Sequence, residues 1–313
     1  MKGLDLAKGY YEEVVRPMLE KDFPQLVPVI AAGLVGEGSE CFGYDDDLSR
    51  DHDFGPDICL WLTEEAFGQA GPALAQAYAA LPDSFRGYRR KPAGPEAAHR
   101  RGVMSVNSFY RRALGGIEEP LTTLDWFKIP QGALATATNG EVWTDPAGLF
   151  TARRELLMYQ YPDDVRRKKC ASRLAQMAQS GQYNYPRALR RQDMGSAYLA
   201  LAEFVNHALA VLFLLNDRYM PFYKWRFRAA RDLAQLHEVY EALLIIAVQG
   251  NSGADGPNPP LMVEAICEDV GQAVADRYAL DQRDAFLIPL AEDLAASVSD
   301  PALKKLPLLF DIE

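Results

Sequence analysis

The sequence changes character near residue 150, and this change constrains the fold more than any other feature. From Thr151 onward, apolar residues recur at helical spacing in one segment after another, with breaks at Pro- and Gly-bearing stretches such as 181–186 and 250–260. This pattern predicts helices over roughly 151–160, 163–179, 187–215, 219–248, 260–278 and 283–297. Before that point, short apolar runs alternate with helical patterns, which is typical of strands interleaved with helices. The 313 residues therefore predict an α/β domain over 1–150 and an all-α helical bundle over 151–313.

Local patterns in the N-terminal part predict its elements. Short apolar runs predict strands over Leu26–Val35, Asp51–Leu62 and Gly102–Val106, the second of which is bent at Gly55-Pro56. Thr63, followed by two glutamates, predicts a helix that begins there and extends towards Leu81. Ser39 is predicted to be the N-cap of a further turn, because its hydroxyl can accept hydrogen bonds from the exposed amides of that turn.

Charge is distributed unevenly along the chain. The net charge of −10 argues against a nucleic-acid partner, since phosphate backbones are bound by basic surfaces. Residues 161–231 nevertheless hold thirteen Lys and Arg against five Asp and Glu. Two interpretations stay open: a basic half faces an acidic half across a phosphate-bearing, metal-bound ligand, or helix surfaces simply differ in charge.

Cysteine usage and hydropathy predict the compartment. The four cysteines are scattered and form no CxxC pair, which favours a reducing environment over a zinc site or disulfide framework. The N-terminal segment has no apolar signal-peptide core. The apolar run at 208–215 is too short to cross a bilayer, so no membrane partner is expected. We expect a cytoplasmic protein.

An acidic pair precedes the second predicted strand. Asp51 and Asp53 are two residues apart, so on a strand both carboxylates share one face and His52 takes the other. Paired carboxylate oxygens suit Mg²⁺, and the alternative is a charged loop in water. His52 is a ligand or base, or a hydrogen-bonded core residue. The triplet 45–47, with no apolar neighbours to fix it, is expected to be a solvated loop.

A Gly-Ser turn lies twelve residues upstream of this pair. At Gly38 and Ser39 the first strand is expected to turn into a helix, where backbone amides can approach a phosphate and the helix dipole favours negative charge. A turn for a triphosphate, followed by a metal pair on the next strand, is a layout for nucleotidyl transfer.

These motifs resemble the nucleotidyltransferase superfamily, whose members include DNA polymerase beta and kanamycin nucleotidyltransferase. The segments GEGSE, SRDHDFGP, YPDDVRRKKCASRL, GQYNYPRALRRQD and LNDRYMPFYKWRFR together look like a bacterial branch known mainly as a domain of unknown function. The resemblance runs from about Leu26 to Leu236. It implies a nucleotidyltransferase-like mixed sheet with an appended helical domain, and Mg²⁺ with a nucleoside triphosphate as ligands.

Carried over residue by residue, the resemblance implies that Gly38 and Ser39 bind the phosphate. It also implies that Asp51 and Asp53 are the catalytic metal ligands. A third carboxylate usually comes from a neighbouring strand in this superfamily, but the predicted strand GVMSVNSFY contains none. The possible substitutes stay open: Asp57, Glu40 and Asp125.

Two motifs of the helical half predict further ligand groups. Arg187, in YNYPRALRRQD, has the guanidinium fork that suits phosphates, with tyrosines nearby for stacking on a base. The alternative is a tyrosine-rich contact with solvated arginines. Lys224, among the aromatics of RYMPFYKWRFR, binds a phosphate or lies along an aromatic core with its ammonium in water. The basic run 165–169 is expected to be a solvated helix face.

Two functions follow from these predictions. The first is a Mg²⁺-dependent nucleotidyltransferase that moves a nucleoside monophosphate to a small-molecule or protein acceptor. The second is a catalytically reduced protein of the same fold that binds nucleotide, or a partner, as a regulator. A purely structural helical protein would leave the acidic pair unexplained.

Overall fold

Strands and helices alternate in one part of the chain, and helices dominate the other. The computed structural model describes residues 1–50, 54–90, 100–120, 122–159, 162–249 and 258–312. Unit 1 comprises Met1–Pro120 and Ala133–Gln160, and unit 2 comprises Leu121–Gly132 and Tyr161–Glu313.

The regular elements are numbered in chain order. The strands are β1 (Ala31–Leu34), β2 (Cys59–Leu62), β3 (Ser84–Phe85), β4 (Tyr88–Arg89), β5 (Gly102–Ser105) and β6 (Glu141–Thr144). The α-helices are α1 (Gly3–Tyr10), α2 (Arg16–Asp22), α3 (Glu64–Ala79), α4 (Val106–Ala113), α5 (Thr123–Lys128), α6 (Gln131–Thr138), α7 (Leu149–Tyr159), α8 (Asp163–Met177), α9 (Tyr185–Arg190), α10 (Met194–Leu215), α11 (Arg226–Ala230), α12 (His237–Gln249), α13 (Pro259–Tyr278), α14 (Ile288–Ala296) and α15 (Pro301–Lys304).

Unit 1 contains a four-stranded sheet of order β5-β2-β1-β6. β1 is antiparallel to both β2 and β6, whereas β2 is parallel to β5, so the sheet is mixed as predicted. Every residue of β1 and β2 is buried. Burial on both faces explains why these strands read as continuous apolar runs rather than as alternating ones.

Capping side chains position the helices that follow two strands. Thr63 accepts a hydrogen bond from the amide of Ala66 at 3.1 Å and starts α3 directly after β2, as the sequence predicts. Ser105 does the same for α4 after β5, accepting from Ser108 at 3.0 Å.

Two predicted strands are shorter than expected. The segment before β1 forms turns, with the amide of Ile30 bonded to the carbonyl of Leu26, so the strand begins at Ala31 instead of Leu26. Within the described residues, the strand predicted from Asp51 begins only at Cys59. A tight turn, in which the Asp57 amide donates to the Gly55 carbonyl at 2.9 Å, interrupts extended pairing there.

Unit 2 is built around α10. This helix contacts α8, α9, α12 and α13, and its second half is almost wholly buried. The predicted helix over 187–215 is divided at Gln192, whose φ of +59° breaks the helix before Asp193 caps α10. The helix predicted over 219–248 is likewise divided, into α11 and α12.

The apolar helix α10 is longer than the run at 208–215 suggested. Its 22 residues have a window of mean hydropathy 1.8, which by length and composition is enough to cross a membrane. However, 61% of that window is buried inside the protein, as in the core helix of a soluble-type fold. The candidate span is therefore weak.

Charged residues provide the largest departure from expectation. In the run 165–169, Lys168 is 2% exposed and Lys169 is fully buried, so this is not the solvated helix face that its composition predicts. Asp45, predicted to be solvated, is also buried and accepts a hydrogen bond from the amide of Gly3 at 2.9 Å. In both cases partners distant in the sequence supply the opposite charge or the donor.

Candidate functional site: the turn after strand β1

The chain leaves β1 through a glycine turn. Gly36 and Gly38 both have φ of +123°, a region that side-chain-bearing residues rarely adopt. Residues 39–43 continue as turns closed by hydrogen bonds from the amides of Phe42 and Tyr44 to the carbonyl of Ser39. The predicted phosphate turn is thus a turn, but no helix follows it, and the N-cap role predicted for Ser39 is wrong.

Backbone donors of this turn remain available. Among the residues that the structure describes, the amides of Glu37, Gly38 and Ser39 donate to no hydrogen-bond acceptor. Gly38 and Ser39 are half-buried, and Glu37 is exposed. Successive free amides next to glycine are the groups that bind anionic oxygens in many phosphate sites.

Asn139 fixes the start of the turn. Its side chain accepts from the amide of Gly36 at 2.9 Å and donates to the carbonyl of the same residue at 2.8 Å. The amide of Gly140 donates to the carbonyl of Cys41 at 2.8 Å, which ties the other end of the turn to the segment before β6. Both ends are therefore held in place by polar contacts.

Two arginines at the start of β5 lie against the turn. Arg101 Nη2 donates to the Glu37 carbonyl at 2.6 Å and to Glu40 Oε1 at 2.8 Å. The side chains of this Arg101–Glu40 pair are only 11% and 8% exposed. Arg100 Nε lies 2.6 Å from Glu37 Oε2 in a more exposed pair. Each guanidinium group thus supports the turn through an ion pair with one of its glutamates.

A buried thiol completes the environment. Arg101 Nη2 lies 3.3 Å from Cys41 Sγ. Burial raises the pKa of the Cys41 thiol to about 12, and the guanidinium of Arg101 offsets only part of that shift. Cys41 is therefore a neutral thiol at physiological pH, and it is a packing group instead of a nucleophile.

The predicted metal pair, Asp51 and Asp53, lies outside the described residues, as does His52. Within the described ranges, no three His, Cys, Asp or Glu side chains come together in a way that could hold a metal ion. The Mg²⁺ site stays a prediction from the sequence.

The three substitutes for a third carboxylate have different positions. Glu40 lies in the turn, paired with Arg101. Asp57 accepts hydrogen bonds from Tyr78 Oη and from the amide of Ile58, before β2. Asp125 belongs to unit 2, where it forms a capping box with Thr122 at the start of α5. Of the three, only Glu40 is part of the turn.

Arg187 lies in unit 2 beside an open cavity. Its guanidinium is 4.6 Å from the centre of the Tyr183 ring and donates to the hydroxyl of that tyrosine at 2.8 Å. The cavity has a volume of about 710 Å³, and Arg191 also lines it. Tyr183 is half exposed, whereas Tyr185 is 1% exposed, so only the former presents a ring surface to a ligand.

Lys224 also lies in unit 2, within a short 3₁₀ turn, Tyr223–Trp225. Its ammonium nitrogen is 5.5 Å from the centre of the Phe222 ring and 5.3 Å from that of Trp225. The lysine itself is exposed. These distances fit a cation–π arrangement, with the charged end of the side chain accessible.

Sequence reasoning missed the residues that support the turn. Arg100, Arg101 and Asn139 belong to none of the motifs described above. One local signal was present: the arginine pair stands immediately before the apolar run of β5. Asn139 gave no such signal, since its role depends on the pairing of β1 with β6.

Comparison with known proteins gives two similarities. Residues 126–226, about a third of the chain, match a domain of unknown function, DUF4037. A crystal structure of a nucleotidyltransferase-like protein from Exiguobacterium sibiricum 255-15 aligns with 90% of this chain and 89% of that chain, at 11% identity and a TM-score of 0.36. No curated protein matches the chain. At these levels the similarities assign no residue role.

Proposed function

We propose that this chain is a nucleotidyltransferase whose unit 1 binds the phosphates of a nucleoside triphosphate at the turn after β1. One observation carries the proposal: the backbone amides of Glu37, Gly38 and Ser39 donate to no acceptor among the described residues. Asn139 holds the start of this turn, and Arg101 donates to its Glu37 carbonyl. Amides held in this way bind phosphate oxygens without reorganisation.

The chemistry proposed is transfer of a nucleoside monophosphate to a hydroxyl or amine of a small-molecule or protein acceptor. Asp51 and Asp53 would hold Mg²⁺, which neutralises charge on the phosphates and orients an in-line attack. This part of the proposal rests on the sequence. Arg187 and Lys224 are proposed as further phosphate-binding groups, since each combines a cation with an aromatic ring in unit 2.

A matched pair of glycine variants tests the binding step. A Cβ at Gly38 would lie 2.5 Å from the carboxylate of Glu40, whereas a Cβ at Gly43 has no heavy atom within 4 Å. Both glycines have positive φ, so Gly43→Ala controls for backbone strain. We expect Gly38→Ala to weaken NTP binding at least about tenfold in calorimetric titration. Equal affinities for wild type and Gly38→Ala would refute the phosphate turn.

A second pair of variants tests catalysis. Asp51→Asn and Asp53→Asn should each abolish Mg²⁺-dependent release of pyrophosphate from labelled NTPs in the presence of cell extract as the source of acceptor. Asp46→Asn, which removes a charge from the same acidic segment, is the control. Wild-type turnover in both metal-pair variants would contradict the mechanism.

One observation favours the catalytically reduced alternative. The strand expected to carry the third carboxylate, β5, ends at Ser105, which caps α4. Asn107, two residues on, accepts a hydrogen bond from Arg153 at 2.8 Å. Neither group is a carboxylate, and both have structural partners. Under this alternative, NTPs raise the melting temperature without turnover for any acceptor.

A further inference from the structure

Helix α8 buries three cationic side chains. Lys168, Lys169 and Arg173 are 2%, 0% and 3% exposed. Removing an ammonium or guanidinium group from water is costly unless anionic or carbonyl oxygens replace the lost hydration. Burial lowers the pKa of Lys168, and the nearby carboxylate of Asp311 offsets this shift only in part.

All three cations donate to oxygens of one segment, residues 306–312, and Lys169 also lies 4.7 Å from the centre of the Phe127 ring. Together with Ser172 and Gln176, the three cations donate to consecutive oxygens along this segment. The contacts are Lys168 Nζ to the carbonyls of Pro307 (2.7 Å) and Leu308 (3.2 Å), Gln176 Nε2 to that of Leu309 (2.8 Å), Ser172 Oγ to that of Phe310 (2.9 Å), Lys169 Nζ to Asp311 Oδ1 (2.8 Å) and the carbonyl of Ile312 (3.1 Å), and Arg173 Nε to Asp311 Oδ2 (2.7 Å).

The 306–312 segment lies partly at the surface. Leu309 and Phe310 are both 42% exposed, whereas the side chain of Asp311 is only 2% exposed. The segment contains no regular element between α15 and Ile312. It is thus held by oxygen atoms bound to the α8 side chains, together with a contact between the Phe310 and Phe127 rings at 6.0 Å.

An open cavity adjoins this arrangement. Arg173 Nη1 lies 3.1 Å from His207 Nδ1, and both His207 and Gln176 line the cavity of about 710 Å³ that also contains Arg187 and Arg191. The buried Oε1 atom of Gln176 has no hydrogen-bond partner among the described residues. Gln176 is thus the residue that both lines the cavity and holds the 306–312 segment, and the lining also includes the carboxylates of Asp193 and Glu203.

We infer that Lys168, Lys169, Ser172 and Arg173, here named the α8 cradle, form a binding site for a polyphosphate chain, and that the 306–312 segment is its exchangeable internal occupant. The cradle offers N–H and O–H donors along a row of oxygens, and a chain of phosphate oxygens presents the same pattern with more negative charge. A phosphate chain entering from the cavity would replace Asp311 on Lys169 and Arg173 and release the segment. This site is separate from the turn after β1.

Hydrogen exchange of the full chain tests the exchange of occupants. In the structure, the amide of Phe310 donates to the carbonyl of Pro307 at 3.0 Å, and that of Ile312 donates to Asp311 Oδ1 at 2.7 Å. Saturating inorganic tripolyphosphate should raise the exchange rate of 306–312 at least about tenfold. Because the readout is local, binding at the turn does not contribute to it. Unchanged exchange at saturation overturns the inference.

Variants identify the cradle as the site. Asp311→Asn weakens the internal occupant, so the tripolyphosphate affinity measured from α8 exchange should rise about tenfold. Asp300→Asn, which removes a negative charge at the cap of α15 and leaves the cradle intact, should not change this affinity. In the double variant Asp311→Asn/Lys169→Gln, the increase in tripolyphosphate affinity should be abolished. An unchanged affinity in Asp311→Asn contradicts the proposal, and the wild-type exchange experiment decides the matter if that variant does not fold.

Discussion

The turn after β1 and the α8 cradle both place cationic side chains away from water, but they are enclosed in different ways. In both, a buried arginine meets a carboxylate far away in sequence: Arg101 meets Glu40 across 61 residues, and Arg173 meets Asp311 across 138. The turn is closed at both ends by Asn139 and Gly140. The cradle is covered by a segment whose residues all stay partly exposed.

This difference determines what happens when a charge loses its partner. The side chain of Arg101 is 11% exposed and lies in a turn that is closed at both ends. In the cradle, where the side chains of Lys169 and Arg173 are 0% and 4% exposed, we infer that the 306–312 segment can lift and let water hydrate the cations. Similar ion pairs should therefore differ in their contribution to stability, and variants of the carboxylates measure that difference.

The largest effect is expected for Glu40→Ala. It leaves the guanidinium of Arg101, 11% exposed, without its carboxylate, and breaking a buried pair in this way costs about 3–5 kcal/mol. Urea unfolding followed by hydrogen exchange in peptides of unit 1 measures the loss. A loss below about 1 kcal/mol would show that the turn opens as easily as we infer for the cradle.

Asp311→Ala should have a smaller effect, about 1.5–3 kcal/mol, which is typical of losing hydrogen bonds to charged groups. The reason is that the cations of the cradle can regain water when the segment lifts. Exchange in peptides of α8 measures the change. A cost as large as that of Glu40→Ala would break the comparison, because it would mean that the cations stay buried.

Two thiols allow both regions to be compared by pH. Burial raises the pKa of Cys41, in the turn, and of Cys170, on α8, to about 12. Both thiols stay protonated in the folded state, so their contribution is fully present below pH 9 and is lost as pH rises from 9 towards 12. Each should add about 1.4 kcal/mol per pH unit to the decline in the free energy of unfolding.

Urea unfolding at pH 8, 9 and 10 measures this decline. Cys41→Ala and Cys170→Ala should each make the decline in the free energy of unfolding less steep, by the amount that corresponds to one proton released on unfolding. This holds whatever the variant does to stability at pH 8. An unchanged slope in Cys170→Ala alone would mean that water reaches α8 in the folded state, which would sharpen the difference between the two regions.

The smallest effect is expected for Glu37→Ala. Its partner Arg100 is 34% exposed and Glu37 is 48% exposed, so solvent screens the pair and its loss costs about 0.2–1 kcal/mol. The measurement is the same unit 1 exchange used for Glu40→Ala. A cost equal to that of Glu40→Ala would show that burial does not set the scale for these pairs.

Elements with local signals were predicted correctly. The apolar runs of β1, β2 and β5, the Thr63 cap and the glycines of the turn are all read from a few adjacent residues, because periodicity and special φ angles are local properties. The bend predicted at Gly55-Pro56 is a tight turn that interrupts the strand, so β2 begins eight residues later than expected. A contact distant in the sequence accompanies this turn, since a Cβ at Gly55 would lie 2.9 Å from the Arg89 carbonyl.

Burial of charge could not be predicted in this way. The run 165–169 has the composition of a solvated helix face, and nothing near it in the sequence indicates that Lys168 and Lys169 are covered. The covering residues follow about 140 positions later. The same holds for Asp45, whose partner Lys2 lies at the start of the chain.

The sequence by itself determined that strands are interleaved with helices and where a glycine turn follows a buried strand, because hydrophobic periodicity and glycine act over a few residues. Only the tertiary structure decided which side chains support that turn and which cations α8 hides. The physical reason is that the free energy of a charged group depends on its solvent exposure and its partners, and both are set by segments far away in the chain.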